Sequence, residues 1–241
     1  MARQPLKSRL PKTGISLGPG FLRERPKAAA LIAECIATWS EIELQMGRLI
    51  ATLLGTPYEP VTVFFLNLAN QRDKRKTLDP IANFIFAEDN HRELYAAVMR
   101  ARSSSENERV ELAHSLFGIA SDDADGVIMI RTTDRIKHMI ELDELLKNMH
   151  GRSSQQNFLD LGKNRNEKYQ EIRNYIYHYS ISDLEKIIDN MNQLHAIIPK
   201  FCGFAISVAQ KRPDDEAYQR LMNEPLVRRF LCQKPTNRGD E

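Results

Sequence analysis

AAALIAECIATWSEIELQMGRLIATLL, residues 28–54, carries the clearest helical pattern in the chain. Ile32, Trp39, Met46 and Leu53 fall seven apart, and Cys35, Ile42 and Leu49 fill the positions between them. Seven residues is close to two helical turns, so these side chains form one apolar stripe. Glu34, Glu41, Glu43 and Arg48 sit off it. A stripe of this width suits a helical bundle or a dimer seam. Trp39 on it reads as core rather than as a platform for stacking bases. Gly55-Thr56-Pro57 stops the helix.

Moving toward the C-terminus, Pro60 suits the first turn of a short helix whose buried face is Val61, Phe64, Phe65 and Leu68. Asn70-Gln71-Arg72-Asp73-Lys74-Arg75-Lys76 is the most basic knot in the middle of the chain. It reads as a solvated bend, or else as a phosphate contact. Asp79-Pro80 can cap a renewed helix with Ile81, Phe84, Ile85 and Phe86. Asn90 can cap the next, cored by Leu94, Tyr95 and Val98, with Ser103–Ser105 as a break or a polar face. Residues 107–117 read as helix, and 118–125 as a turn-rich acidic link. Val127–Ile130 is short, apolar and β-branched, and reads as a strand. A helix is predicted from Thr133-Asp134 to Met149, and residues 151–166 as a loop. Tyr175–Tyr179 alternates in a way that also fits a strand. Ser182-Asp183 reads as the cap of a long amphipathic helix that Pro199 can kink. A last helix spans 214–231 with a break near Pro225, and the tail from Pro235 looks frayed.

Toward the N-terminus, residues 1–27 hold seven Lys or Arg against one Glu, with four Pro and three Gly. This composition predicts a flexible basic arm, either a solubilising tail or a tracker of nucleic-acid backbone. The organisation expected is therefore an arm at 1–27, a helical domain at 28–210 and a helical appendage with a tail at 211–241.

Composition narrows the function classes. The chain has 241 residues, 42% of them hydrophobic, and a formal net charge of +2, which gives no strong global bias toward polyanions. Cys35, Cys202 and Cys232 match no metal spacing and no disulfide framework, so no cofactor or metal is expected. No apolar run approaches the ~18 residues of a membrane span, and the N-terminus lacks the apolar core of a signal peptide. A cytoplasmic setting is the expectation.

Chemistry is concentrated in arginine–histidine pairs. Arginine is a planar, permanently charged fork for phosphate, and histidine trades a proton near neutral pH. Three pairs have a spacing of four to six intervening residues: Arg109/His114, Arg131/His138 and Arg173/His178. On a helix the first pair is about 140° and roughly 7.5 Å apart. The second straddles a predicted helix start and reads as accidental. If 175–179 is a strand, odd spacing sends Arg173 and His178 to opposite faces.

Glu108-Arg109-Val110-Glu111-Leu112-Ala113-His114-Ser115-Leu116-Phe117-Gly118 resembles the HEPN superfamily, helical nucleic-acid-associated proteins defined by an Arg-x4-6-His motif. The likeness is to bacterial members with a segment of the form Glu-Arg-Asn-x-Leu-Ala-His-Gly-x-Trp-Gly after several helices and before a short strand. Arg109, Leu112, Ala113, His114 and Gly118 match, and Phe117 takes the Trp place. Val110 stands where the family usually has a polar residue, and Ser115 where it has a glycine. Arg173-Asn174-Tyr175-Ile176-Tyr177-His178 has the family's Arg-Asn start in a less typical setting. The resemblance implies a mostly α, HEPN-like helical bundle with a small β element and a C-terminal helical extension. It implies a metal-independent endoribonuclease with Arg109 and His114, or Arg173 and His178, as catalytic residues. It also implies a homodimer, RNA as substrate, and a toxin–antitoxin or phage-defence setting with an antitoxin or other protein partner. A non-catalytic helical module binding nucleic acid or protein is the alternative.

Overall fold

The apolar stripe of residues 28–54 becomes a helix that ends at a glycine. The structure, a computed structural model, describes residues 4–68, 70–149 and 170–231. In chain order the elements are α1 (Leu6–Arg9), β1 (Ile15–Leu17), α2 (Pro26–Leu54), α3 (Tyr58–Leu66), α4 (Gln71–Ile85) and α5 (Asp89–Ala113). Then follow β2 (Ser115–Ala120), β3 (Val127–Arg131), α6 (Thr132–Met149), β4 (Ile176–Tyr179), α7 (Ile181–Ala209), α8 (Asp215–Asn223) and α9 (Pro225–Leu231). The protein is mostly helical, with one small open sheet and two short C-terminal helices. The predicted loop at 151–166 and the tail from Pro235 lie outside the described residues.

Two compact units divide the chain: Met1–Ala33 with Val110–Ile187, and Glu34–Arg109 with Ile188–Glu241. This differs from the arm, domain and appendage expected at 1–27, 28–210 and 211–241, because the first unit joins segments far apart in sequence.

The helical unit is cored by Trp39, Ile42, Met46, Leu49 and Leu53 of α2, Phe65 of α3, and Leu78 and Ala82 of α4. Leu94 and Val98 of α5, Leu194, Ile198, Phe201 and Phe204 of α7, and Leu226 and Phe230 of α9 complete it. Each such large side chain taken fully out of water contributes about 1.5–3 kcal/mol before entropy is counted. The heptad stripe of α2 is buried throughout. Gly55 closes the helix with φ 62°, while the amides of Thr56 and Gly55 donate to the carbonyls of Ala51 and Thr52 at 3.1 Å each. That left-handed residue with its paired bonds is the glycine stop that the sequence predicts. On α3 the expected face is only partly right: Phe65 is buried, but Phe64 is 59% exposed.

Asn70–Lys76 is not a bend. Asn70 caps α4, accepting from the Asp73 amide at 2.9 Å, and the basic knot forms the first turns of the helix. Pro80 lies inside α4, so Asp79-Pro80 starts no new helix. Ser103–Ser105 are part of a continuous α5.

The sheet unit holds an antiparallel sheet of order β1-β2-β3-β4. β3 was legible as a strand, and β4 matches the alternation in 175–179. β1 and β2 were not. The sequence pattern predicts helix through residue 117, but α5 ends at Ala113 and Leu116 pairs with Ile130.

The N-terminal segment is not a flexible arm from Gln4 onward. Pro5 bridges to Tyr177 and the His178 amide donates to the Gln4 carbonyl at 3.0 Å, on the outer edge of β4. At the other edge β1 pairs with β2, with Leu17 opposite Gly118. Between the edges Leu6 is fully buried with Ile128, Ile130 and Ile176. Sparse apolar residues hid this, because the segment contributes only a few anchors to a core supplied by other strands.

α7 starts two residues earlier than predicted. Ser180 is the cap, accepting from the Asp183 amide at 3.2 Å while Asp183 accepts from the Ser180 amide at 3.0 Å. This reciprocal pair is a capping box with Asp in the glutamate position.

Candidate functional site

Arg173 and His178 belong to the sheet unit, and both are 6% exposed. Arg173 lies in a short turn of 3-10 helix just before β4. Its guanidinium donates to the carbonyls of Thr13 at 2.8 Å, Pro11 at 3.1 Å and Leu10 at 3.2 Å. Those bonds hold the stretch between α1 and β1, so the fork that could grip phosphate grips backbone. His178 is enclosed between Asp123, at Nε2, and Arg9, whose Nη1 lies 3.2 Å from Nδ1. Arg9 also pairs with Asp183 at 2.6 Å. Arg25 donates to the carbonyls of Asp123 at 2.8 Å and Gly126 at 3.2 Å.

The carboxylates of this cluster are held in their charged forms. Burial pushes Asp183 up, but hydrogen bonds from Arg9 and Ser180 and the Arg9 charge outweigh it, so its carboxyl sits below its ordinary range. Asp123 follows the same balance, with His178 and the amides of Gly126 and Asp125 as donors. Replacing Arg173 by Ala is expected to lower stability by about 2–3 kcal/mol, because three carbonyls lose a charged donor. Limited trypsin digestion should then cut within residues 4–25 first. Cleavage there no faster than in the wild type would show that Arg173 does not hold the segment.

His114 follows α5 in the turn before β2 and is exposed. Its carbonyl accepts from the Thr132 hydroxyl at 2.8 Å and amide at 3.4 Å, so the backbone is fixed while the imidazole meets solvent. Arg109 is half-buried in the last turns of α5, its guanidinium 5.6 Å from the Trp39 ring centre. Its Nε is buried without a hydrogen-bond acceptor. Val110, in the place of the family's polar residue, is exposed. The third pair offers little: Arg131 ends β3, and His138 is buried within α6.

The helical unit contains an ionic cluster that sequence reasoning missed. Glu43 of α2 pairs with both Lys74 of α4 and Arg102 of α5, and all three are at most 9% exposed. Arg102 also donates to Gln71, lies 3.6 Å from Glu106 and stacks 5.3 Å from the Trp39 ring. Burial raises Glu43, but the Arg102 charge and the bonds from Lys74 and Arg102 more than reverse this, leaving its carboxyl below the usual range. Glu106 moves the other way, raised by burial and by the Glu43 charge. Glu43 falls beside the apolar stripe, a position whose partners no local pattern could reveal.

Two thiols lie among the described residues, Cys35 buried and Cys202 half-buried. Cys35 is buried with its thiol pushed up to about 12, by burial and by Glu108, and it contacts the Met191 sulfur at 3.5 Å. Burial lifts Cys202 to about 11. Among the described residues, no group of three or more His, Cys, Asp or Glu is placed to hold a metal ion. No helix among them is long and apolar enough to cross a membrane. No family model, curated protein or solved structure matches the chain.

Proposed function

We propose that this protein is a HEPN-type, metal-independent endoribonuclease acting through Arg109 and His114. The observation that carries the choice of pair is exposure: His114 meets solvent, whereas Arg173 and His178 are buried and bonded to the N-terminal segment and to Asp123. A general base must come within hydrogen-bond reach of the proton it removes. His114 takes the proton of a ribose 2′-hydroxyl, and that oxygen attacks the adjacent phosphorus. The bond to the 5′-oxygen breaks, leaving a 2′,3′-cyclic phosphate and a 5′-hydroxyl. Arg109 neutralises the phosphoryl oxygens as charge builds. A second copy of the chain supplies the histidine that protonates the leaving oxygen, so the working form is a homodimer. An antitoxin or other protein partner would hold such an activity in check in a toxin–antitoxin or phage-defence setting.

The test is cleavage of an RNA oligonucleotide with and without EDTA, beside a copy with a single 2′-deoxy nucleotide at the cut position. Cleavage that survives EDTA, ends in a cyclic phosphate and stops at the deoxy position is expected. Equal cutting of the deoxy substrate would sink the mechanism, since only RNA carries the attacking hydroxyl.

One observation favours the non-catalytic alternative. Ile136, Met139 and Ile140 form an exposed apolar stripe on α6, the kind of surface that a protein partner covers. A purified protein that binds RNA but cuts none under any condition would favour that reading.

A further inference from the structure

Of the basic residues in the N-terminal segment, Arg9 and Arg25 are bonded within the sheet unit. The knot at Asn70–Lys76 is where cations are instead presented to solvent. Lys74 turns inward to Glu43 and lies 5.1 Å from the Phe65 ring centre, while Leu78 and Ala82 are buried one and two turns on. These three contacts fix the rotation of α4. The opposite side then carries Arg72, Lys76, Pro80 and Asn83, all exposed.

At about 100° per residue, Arg72, Lys76 and Asn83 fall within about 40° of one another over about 17 Å of helix. Arg75 flanks this stripe on one side and Phe84 on the other. Phe84 is 87% exposed, the largest value among the exposed large hydrophobic side chains of the described residues. The acidic residues of α4 are engaged. Asp79 accepts from the Tyr95 hydroxyl at 2.6 Å and from Arg75 at 3.2 Å, and Asp73 accepts from the Asn70 side chain at 2.7 Å. Arg72 and Lys76 form no ion pair among the described residues. Two cations in line, an amide on the same stripe and a bare aromatic ring beside them are the parts of a single-strand site. Cations take phosphates, and a ring takes one base in stacking.

We propose that the solvent face of α4, with Arg72, Lys76 and Phe84, binds the backbone and one base of single-stranded RNA. The inference rests on the ribonuclease reading and adds the surface that holds the substrate. Binding is measured by fluorescence anisotropy on the full chain with a short fluorescein-labelled 2′-O-methyl oligouridine. This probe has no 2′-hydroxyl to attack, so its binding is independent of cleavage. Arg72→Gln/Lys76→Gln weakens binding about tenfold and flattens the slope of log affinity against log salt by about 1.4. Phe84→Ala weakens it about tenfold with the salt slope unchanged. All these side chains are exposed, and circular dichroism checks that the variants stay folded.

Unchanged affinity in both α4 variants overturns the proposal, as does a wild type that does not bind the probe. Binding to phosphatidylserine vesicles, lost in the same variants, without RNA binding assigns the face to a membrane surface and overturns it too. Intact probe binding without cleavage of ordinary RNA removes the ribonuclease reading and leaves this surface standing.

Discussion

Replacing Glu43 by Ala is expected to destabilise the protein by about 3–5 kcal/mol, because it strands Lys74 and Arg102 without their common counter-charge inside the helical unit. Breaking a buried pair from one side costs far more than the pair is worth against an apolar replacement. Glu43→Leu/Lys74→Met should therefore lose clearly less than the sum of its two single changes. Urea denaturation of the four proteins measures the coupling. Strict additivity would show that the cluster is a set of separate contacts.

The same group sets a pH dependence whose sign follows from its carboxyl being held low in the folded state. Above the unfolded value, about 4.3 for glutamate, the stabilisation from Glu43 is fully present. It is lost as pH falls through the depressed folded value. The gap in stability between wild type and Glu43→Ala should hold steady from neutrality to about pH 5 and close below the ordinary carboxylate range. A gap that widens on acidification would contradict the charged assignment.

His114→Ala is expected to lower RNA cleavage by about 10²–10⁴-fold, the usual worth of a positioned general base. Arg109→Ala should cost about 3–4 kcal/mol of transition-state stabilisation if the guanidinium meets the charge that builds on phosphorus. His114 is exposed, so its loss should leave the melting temperature unchanged. Arg173→Ala and His178→Ala work in the opposite sense: they should reduce stability while keeping most of the cleavage per folded molecule. If they abolish cleavage and the changes at 109 and 114 do not, the catalytic pair has been misassigned. Light scattering joins the test, since a 27.7 kDa particle that still cleaves would remove the need for a second histidine.

How much was legible depended on whether the information was local. The α2 stripe repeats within the helix itself, and each residue sees its neighbours three and four positions away. Its buried face and its Gly55 stop were therefore readable, as were β3 and the long amphipathic helix that forms α7. β2 is hidden in the sequence because Leu112, Leu116 and Phe117 continue a helical spacing across the true end of α5. Only pairing with β1 and β3 makes Ser115–Ala120 extended.

The candidate site divides along the same line. Both arginine–histidine pairs stand in the sequence by itself, equal in residue type and spacing. Tertiary structure alone separated them, by surrounding Arg173 with carbonyls 160 or more residues away and leaving His114 in solvent. It likewise turned Lys74 inward to an acid 31 residues earlier and Arg72 and Lys76 outward. Helical periodicity is written in neighbours along the chain, and the sequence determined that by itself. Whether a charge is buried and paired, or exposed and available, depends on partners that only the folded chain brings within a few ångströms.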